Sequence, residues 1–338
     1  MKVRIYKLRF PHGVHVGAYG IGTEGARVTI PSDTLFSALL SSWITLGNDH
    51  NLWSSQFPRT DDKETTSADP PFLLTSAFPY RGDTIFFPKP LDPELAHEGL
   101  KDKYRKRWKK LPFISESALE KLRSGHLPDS ELVKEQEETL RGNWEVRKIP
   151  RVTLDRISSA SNLFHVGRLE FAEGAGLWFA VIWRDPDRKC GDYTFKETFE
   201  ISLKALSRSG IGGERTYGYG IFEIADKKDV EWPDPESGKP ALLLSRYNPR
   251  PDELPDVLRD AKGYALEEVR GWTYSPHGQF RRRSIVMLKE GSVILARDGI
   301  MGHVVDVGPL HVETREPLLP HPVWRYGLAA LYPLGGGG

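Results

Sequence analysis

Cysteine is almost missing: Cys190 is the only one in 338 residues. That excludes an intramolecular disulfide framework and any thiolate-rich zinc site. Long apolar runs are missing as well, none approaching the roughly 20 residues a membrane span needs. The N-terminal MKVRIYKLRF alternates like a strand and lacks the unbroken apolar stretch of a signal peptide. These absences predict a cytoplasmic protein without membrane contact. A surplus of one charge is missing too: 47 Lys+Arg against 46 Asp+Glu leave a net charge of +1. Composition alone therefore makes no case for nucleic acid. HExxH, GxSxG and paired-Cys motifs do not occur, and no P-loop GxxxxGK[ST] is found. No metal, no cofactor and no catalytic residue is expected.

What is present is glycine, aromatic side chains and locally clustered charge, with 39% hydrophobic and 11% aromatic content supporting a large core. Residues 2–10 read as a strand ending at Pro11, followed by the Gly-rich GVHVGAYGIGTEG (13–25). The clearest helix follows: Ser32 as N-cap, Asp33 at the positive end of the dipole, and Leu35, Leu39 and Trp43 at i, i+4, i+8. Phe36, Leu40 and Ile44 widen its apolar face, and residues 48–71 read as loop. Residues 88–150 read as an insertion that leaves the domain body with helices of its own. It carries the basic run KDKYRKRWKK (101–110), which is either a phosphate- or partner-binding patch or a solvated helix face. LFHVGRLEF and GLWFAVIW read as strands joined by EGAG. Phe195, Phe199, Leu203 and Leu206 mark a second amphipathic helix that ends at Gly210. The strand YGIFEI then follows.

Without the insertion the order is strand, helix, strands, helix, strand, the pattern of a ferredoxin-like or RRM-like domain. The predicted class is α+β: two ferredoxin-like domains with an inserted thumb or helical segment in the first. The expected boundaries are 1–226, with the insertion at about 88–150, and 240–334 for a degenerate second copy, separated by a polar, Pro-rich linker at 226–240.

Two stretches suit an RNA chain. In GIGGERTYGYG (210–220) the glycines Gly212 and Gly213 let backbone N–H groups approach phosphate, Arg215 can fork onto its oxygens, and Tyr217 can stack on an unpaired base. A tight helix-to-strand turn is the other reading. In KIPRVTLDRISSASNLFHVGRLEF (148–171), Lys148, Arg151, Arg156, His165 and Arg168 interleave with hydroxyls including Ser159, suiting a sugar-phosphate chain or simply one polar hairpin face. His12 and His15 flank the first Gly-rich loop and are candidates for acid–base work in RNA cleavage, though two histidines near a loop are more often structural.

PSDTLFSALLSSW, FFPKPL, RVTLDRISSASNLFHVGRLEF and GIGGERTYGYGIFE appear in the order expected of RAMP proteins. GWTYSP, RRRSIVMLKEGSVI, GHVVDVGP and HPVWRYGLA narrow the resemblance to the fourth Csm subunit family of type III-A CRISPR complexes, over Val3 to about Leu331. The resemblance implies a non-catalytic subunit that holds the 5′ repeat tag of crRNA, with target RNA nearby. It also implies a thumb-like hairpin beside the first guide–target pairs. Its implied partners are the large polymerase-domain (Palm) subunit and the backbone RAMP subunit. Carried onto this chain, the tag-binding loop is Gly212 to Tyr217 with Arg215 as main phosphate ligand. Lys89 and residues 148–168 form or flank the thumb, and Ser32, Asp33 and Thr34 open the first helix, whose N–H groups suit phosphate. The rival expectation is a RAMP endoribonuclease that processes CRISPR precursor RNA through His12 or His15. The equivalent type III-B subunit would keep the role and change the partners, and the C-terminal motifs argue against it.

Overall fold

A computed structural model describes residues 1–17, 24–60, 65–96, 100–155, 161–273 and 278–335. Its centre is an antiparallel sheet. Strand Lys2–Arg9 pairs with Ala175–Trp183 on one side and Glu223–Glu231 on the other. Ala175–Trp183 then pairs with Phe72–Leu74 and Phe78–Arg81, and the sheet continues through Thr84–Pro88 to Phe113–Ser115. Fourth strand, first, third, second is the ferredoxin-like order, and it matches the expected class.

Side chains alternate across this sheet as the strand period requires. Tyr6, Leu8, Leu177, Phe179 and Val181 face one core; Val3, Ile5, Trp178, Ala180 and Ile182 face another. The first face is covered by two helices, Ser32–Thr45 and Phe195–Ser209, which pack together. The second of these begins with a capping box: the Thr194 hydroxyl accepts from the Glu197 N–H and Glu197 accepts from the Thr194 N–H.

Residues 88–150 differ from expectation. Helices Asp102–Lys110, Glu116–Arg123 and Ser130–Leu140 do form, but they do not leave the domain body. Trp108, Leu119, Leu122, Leu132 and Val133 cover the second face of the sheet against Phe86, Phe87 and Trp178. That face is too apolar to remain wet, and these helices supply the cover. What projects is the neighbouring hairpin. Trp144–Leu154 pairs with Ser161–Phe171 over eleven residue pairs, from Trp144↔Phe171 to Leu154↔Ser161, and its outer half is exposed. LFHVGRLEF therefore pairs backwards with residues 144–152, not across EGAG with the following strand.

Three further readings change. Pro31, not Ser32, stands at the N-cap of the first helix. Residues 48–71, read as loop, include a short helix, Asn51–Ser54, that buries Trp53, and Phe57 is buried beyond it. The strand Glu223–Glu231 runs through the first residues of the expected linker. In the C-terminal part Pro240–Leu243 pairs with Val293–Leu295 and Leu331–Pro333, and Leu266–Val269 pairs with Ile285–Leu288. Leu242, Leu244, Val293 and Tyr332 share the core of the insertion helices, so the C-terminal sheet is sealed onto the first sheet's second face.

A small sheet also joins the two parts, with Arg59–Thr60 parallel to Val304–Asp306. Beside it His303 is buried, one ring nitrogen 2.8 Å from Thr60 Oγ1 and the other 2.7 Å from Asn248 Nδ2. Burial, aided by the charge of Arg250, pushes its pKa down from 6.5 to about 4. A neutral folded histidine contributes stability that is complete above pH 6.5 and lost as pH falls towards 4. The unfolding free energy should therefore fall across that window by on the order of 3 kcal/mol, read as a drop in the denaturation midpoint. His303→Gln should flatten this part of the profile; an unchanged slope would rule His303 out as its source.

Candidate nucleic-acid interface

The second helix stops at Gly210, whose φ of +79° no side-chain-bearing residue adopts without strain. From there the chain is stitched to its neighbours. Ile211 N–H donates to Gly220 O (3.0 Å), Gly220 N–H to Gly13 O (2.9 Å) and Gly213 N–H to His15 O (2.9 Å). His15 Nδ1 lies 2.6 Å from Gly167 O at the root of the long hairpin. The Gly213 amide is thus spent on protein. The contacts give these glycines another task, close approach of chain to chain: a Cβ on Gly212 would lie 2.3 Å from His15 O, and one on Gly220 1.9 Å from Ile211 O.

Glu214 follows in the left-handed region, and Arg215–Tyr217 form a single 3₁₀ turn. Arg215 is half-buried on the groove wall. Tyr217 is 60% exposed and carries the Arg151 guanidinium 3.9 Å above its ring. Arg151 also donates to Tyr219 Oη at 3.2 Å, and Arg168 lies 5.4 Å from the same buried ring. Cation–π contacts thereby bind the hairpin to the Gly-rich loop.

The loop forms one wall of a branched groove with arms of about 680 and 750 Å³. The first helix supplies Thr34 and Ser37, and the C-terminal part supplies Arg270, Trp272, Arg282 and Arg325. Beneath lies a buried charge network. Asp33 pairs with Arg325, and its other oxygen is 3.7 Å from Arg246 Nε. Arg246 reaches Glu267 at 2.8 Å and Glu290 at 3.7 Å, and Arg27 also pairs with Glu267. Burial would lift the Glu267 carboxyl, but the hydrogen bonds and charges of Arg27 and Arg246 outweigh it and hold the group below the usual carboxylate range. Asp33, Glu267 and Glu290 balance Arg27, Arg246 and Arg325. Arg282 is left over: desolvation, then the like charge of Arg325, lowers its pKa to about 10, so it remains cationic at neutral pH.

The expected site residues divide. Gly212, Gly213, Arg215 and Thr34 line the groove, while Tyr217 and Arg151 stack on each other beside the loop. Ser32 is buried and its atoms are spent: its N–H donates to Ser76 Oγ (2.8 Å) and its Oγ accepts from Arg246 N–H (2.9 Å). It belongs to the seam beneath the groove, because the Pro31 N-cap pushes it one residue into the helix. Lys89 sits on the other side of the sheet, 5.6 Å from the Trp108 ring and donating to Pro90 O, with burial and Lys109 lowering its pKa. It therefore does not join the hairpin. Lys148 pairs with Glu24 at 2.8 Å, and Arg156 and Ser159 fall outside the described residues. Arg27, Arg270, Trp272, Arg281, Arg282 and Arg325 also line the groove without being among the residues expected from the sequence; the RRR run at 281–283 and the isolated Gly271–Trp272 pair are their only sequence signals. Among the described residues no His, Cys, Asp and Glu cluster could hold a metal ion, and no helix is long and apolar enough to cross a membrane.

The RAMP superfamily model matches residues 7–223, about two thirds of the sequence. The chain belongs to the RAMP superfamily. Residues 236–334 match the CRISPR Csm4 C-terminal domain, as the C-terminal motifs led one to expect. A Thermococcus onnurineus protein called CRISPR system Cms protein Csm4 is 28% identical over 78% of this chain and 79% of its own length. A Streptococcus thermophilus protein of the same name is 24% identical over 99% of both. In fold, this RAMP chain resembles a chain of a Csm3–Csm4 subcomplex of the type III-A CRISPR-Cas interference complex, at TM-score 0.62 and 19% identity over 99% of this chain and 100% of that one. It also resembles a chain of a Csm1–Csm4 cassette in complex with pppApA, at TM-score 0.57 and 17% identity over all of both chains.

Gly212 and Gly218 both have positive φ, +92° and +83°, but a Cβ on Gly218 would meet nothing within 4 Å. Gly212→Ala should destabilise the protein by about 1–3 kcal/mol more than Gly218→Ala, read as the difference in thermal midpoints. Equal midpoints would mean that the His15 contact does not position the loop.

Proposed function

We propose that the protein is the subunit of a type III-A CRISPR complex that anchors the 5′ repeat tag of crRNA and bridges the large polymerase-domain subunit to the backbone RAMP subunit, without cutting RNA itself. The observation that carries this reading is the groove: the Gly-rich loop with Arg215, the start of the first helix, and Arg282, which has no carboxylate partner among the described residues, line one channel. Such a surface holds phosphates by charge and direction while leaving bases free to be splayed and stacked. The adjoining hairpin supports the thumb role, because Val152, Leu154 and Leu163 stand exposed along its outer half. They are suited to lie against the flat end of a base-paired segment. The bridging role rests on the related proteins, which are found in Csm3–Csm4 and Csm1–Csm4 assemblies.

The absence of cutting is supported by His15. Its Nδ1 faces the Gly167 carbonyl and its backbone is bridged to Gly213, so the residue serves as a clamp between loop and hairpin. In cells co-expressing a CRISPR array and the other subunits, the protein should co-purify with RNA of uniform 5′ end, and Arg215→Ala should reduce that RNA about tenfold. RNA loading that ignores Arg215, together with cleavage of precursor by the isolated protein, would replace this reading with that of a processing endoribonuclease.

A further inference from the structure

Of the nine tryptophans, eight are buried or half-buried in the cores, and Trp272 alone is open, with 59% of its surface exposed. Yet its backbone is firmly held. Trp272 bridges Arg281, its carbonyl accepts from Arg282 Nε at 2.9 Å, Arg282 N–H donates to Gly271 O at 2.9 Å, and Thr273 N–H donates to Phe280 O at 2.8 Å. A fixed indole left in water forgoes the burial its area would otherwise give. The position is equally specific: Trp272 lines both arms of the groove, facing the Gly212–Arg215 wall across one of them.

The surroundings identify the chemistry of what would cover it. The Arg281 guanidinium lies 5.3 Å from the indole ring centre, and Arg282 lies alongside. Neither is paired with a carboxylate among the described residues, while the carboxylates beneath are matched by Arg27, Arg246 and Arg325. A flat π-face flanked by guanidiniums without carboxylate partners among the described residues fits an unpaired nucleotide: the base stacks on the ring and its phosphate meets the cations. An apolar peptide would leave those arginines without partners.

We propose that Trp272 is a base-stacking platform that receives one splayed nucleobase of the RNA in the groove, with Arg281 and Arg282 holding the adjoining phosphates. This rests on the groove being the path of the crRNA tag, and it names a residue that fixes where along that path the strand is registered. Stacking reads π-surface rather than base identity, so the platform sets register and leaves sequence choice to other contacts.

The test uses the assembled complex loaded with synthetic guide RNAs, each carrying one abasic nucleotide at a successive tag position, in wild type, Trp272→Ala and Trp272→Phe. Trp272→Ala should weaken retention of intact RNA about tenfold, equivalent to about 1.4 kcal/mol, and Trp272→Phe should restore most of it. At one tag position the abasic RNA should already be weakened in wild type, and there Trp272→Ala should add nothing. A Trp272→Ala penalty that is equal at every abasic position overturns the proposal, as does the absence of any penalty. Loss of a partner subunit with RNA affinity unchanged also overturns it, and would make Trp272 a protein-docking residue. The tag reading is judged separately, on the uniform 5′ end of wild-type RNA and its dependence on Arg215, so the two can fail independently.

Discussion

The buried pairing of Asp33 with Arg325 and Arg246 is the constraint on which the rest of the molecule depends. All three side chains are at most 3% exposed. Taking such charges out of water costs several kcal/mol each unless partners and hydrogen bonds offset it. The chain meets that demand by bringing together distant segments: the start of the first helix, the strand Leu266–Val269 that carries Glu267, and the strand Trp324–Arg325 near the C-terminus. Because a mispaired guanidinium here is so unfavourable, the network permits few relative placements of the helix and the C-terminal part. The groove is the space that this one placement leaves open above it.

The network also explains the electrostatics of the groove in a protein whose net charge is +1. Three guanidiniums are matched by three carboxylates below the floor, and surface pairs such as Lys148–Glu24 and Arg107–Glu137 use up charge elsewhere. Among the described residues Arg281 and Arg282 have no carboxylate partner, so positive charge is left on the wall where Trp272 stands. The basic run at 101–110 is the converse case. Its helix buries Trp108 against the sheet, while Arg107 pairs with Glu137, on the side of the sheet away from the groove.

The loop is held in place first by backbone contact. Gly212 and Gly220 let carbonyls and amides from residues 13–15 and 211 come within hydrogen-bonding distance. Arg151 and Arg168, stacked on Tyr217 and Tyr219, then fix the exposed hairpin to the same loop. A shift in either element would strain the other, which suits a surface that positions a flexible strand.

The sequence by itself determined the ferredoxin-like class, through the strand–helix–strand–strand–helix–strand order and the period-2 and period-3.6 apolar patterns, which are local properties of the chain. It also determined the family and the Gly-rich loop with Arg215, because fixed spacings survive in linear order. It could not show which apolar surface would cover which. The insertion helices carry the same amphipathic signal whether they project or pack, and only the exposed second face of the sheet decided that they pack. Nor could it separate a serine used inside the seam, Ser32, from one offered to solvent, or Lys89 behind the sheet from Arg151 beside the loop. Arg325, Arg282 and Trp272 lie far along the chain from the loop they face. Only tertiary structure made them neighbours, because charge pairing and stacking act through space at a few ångströms and leave no period in the sequence.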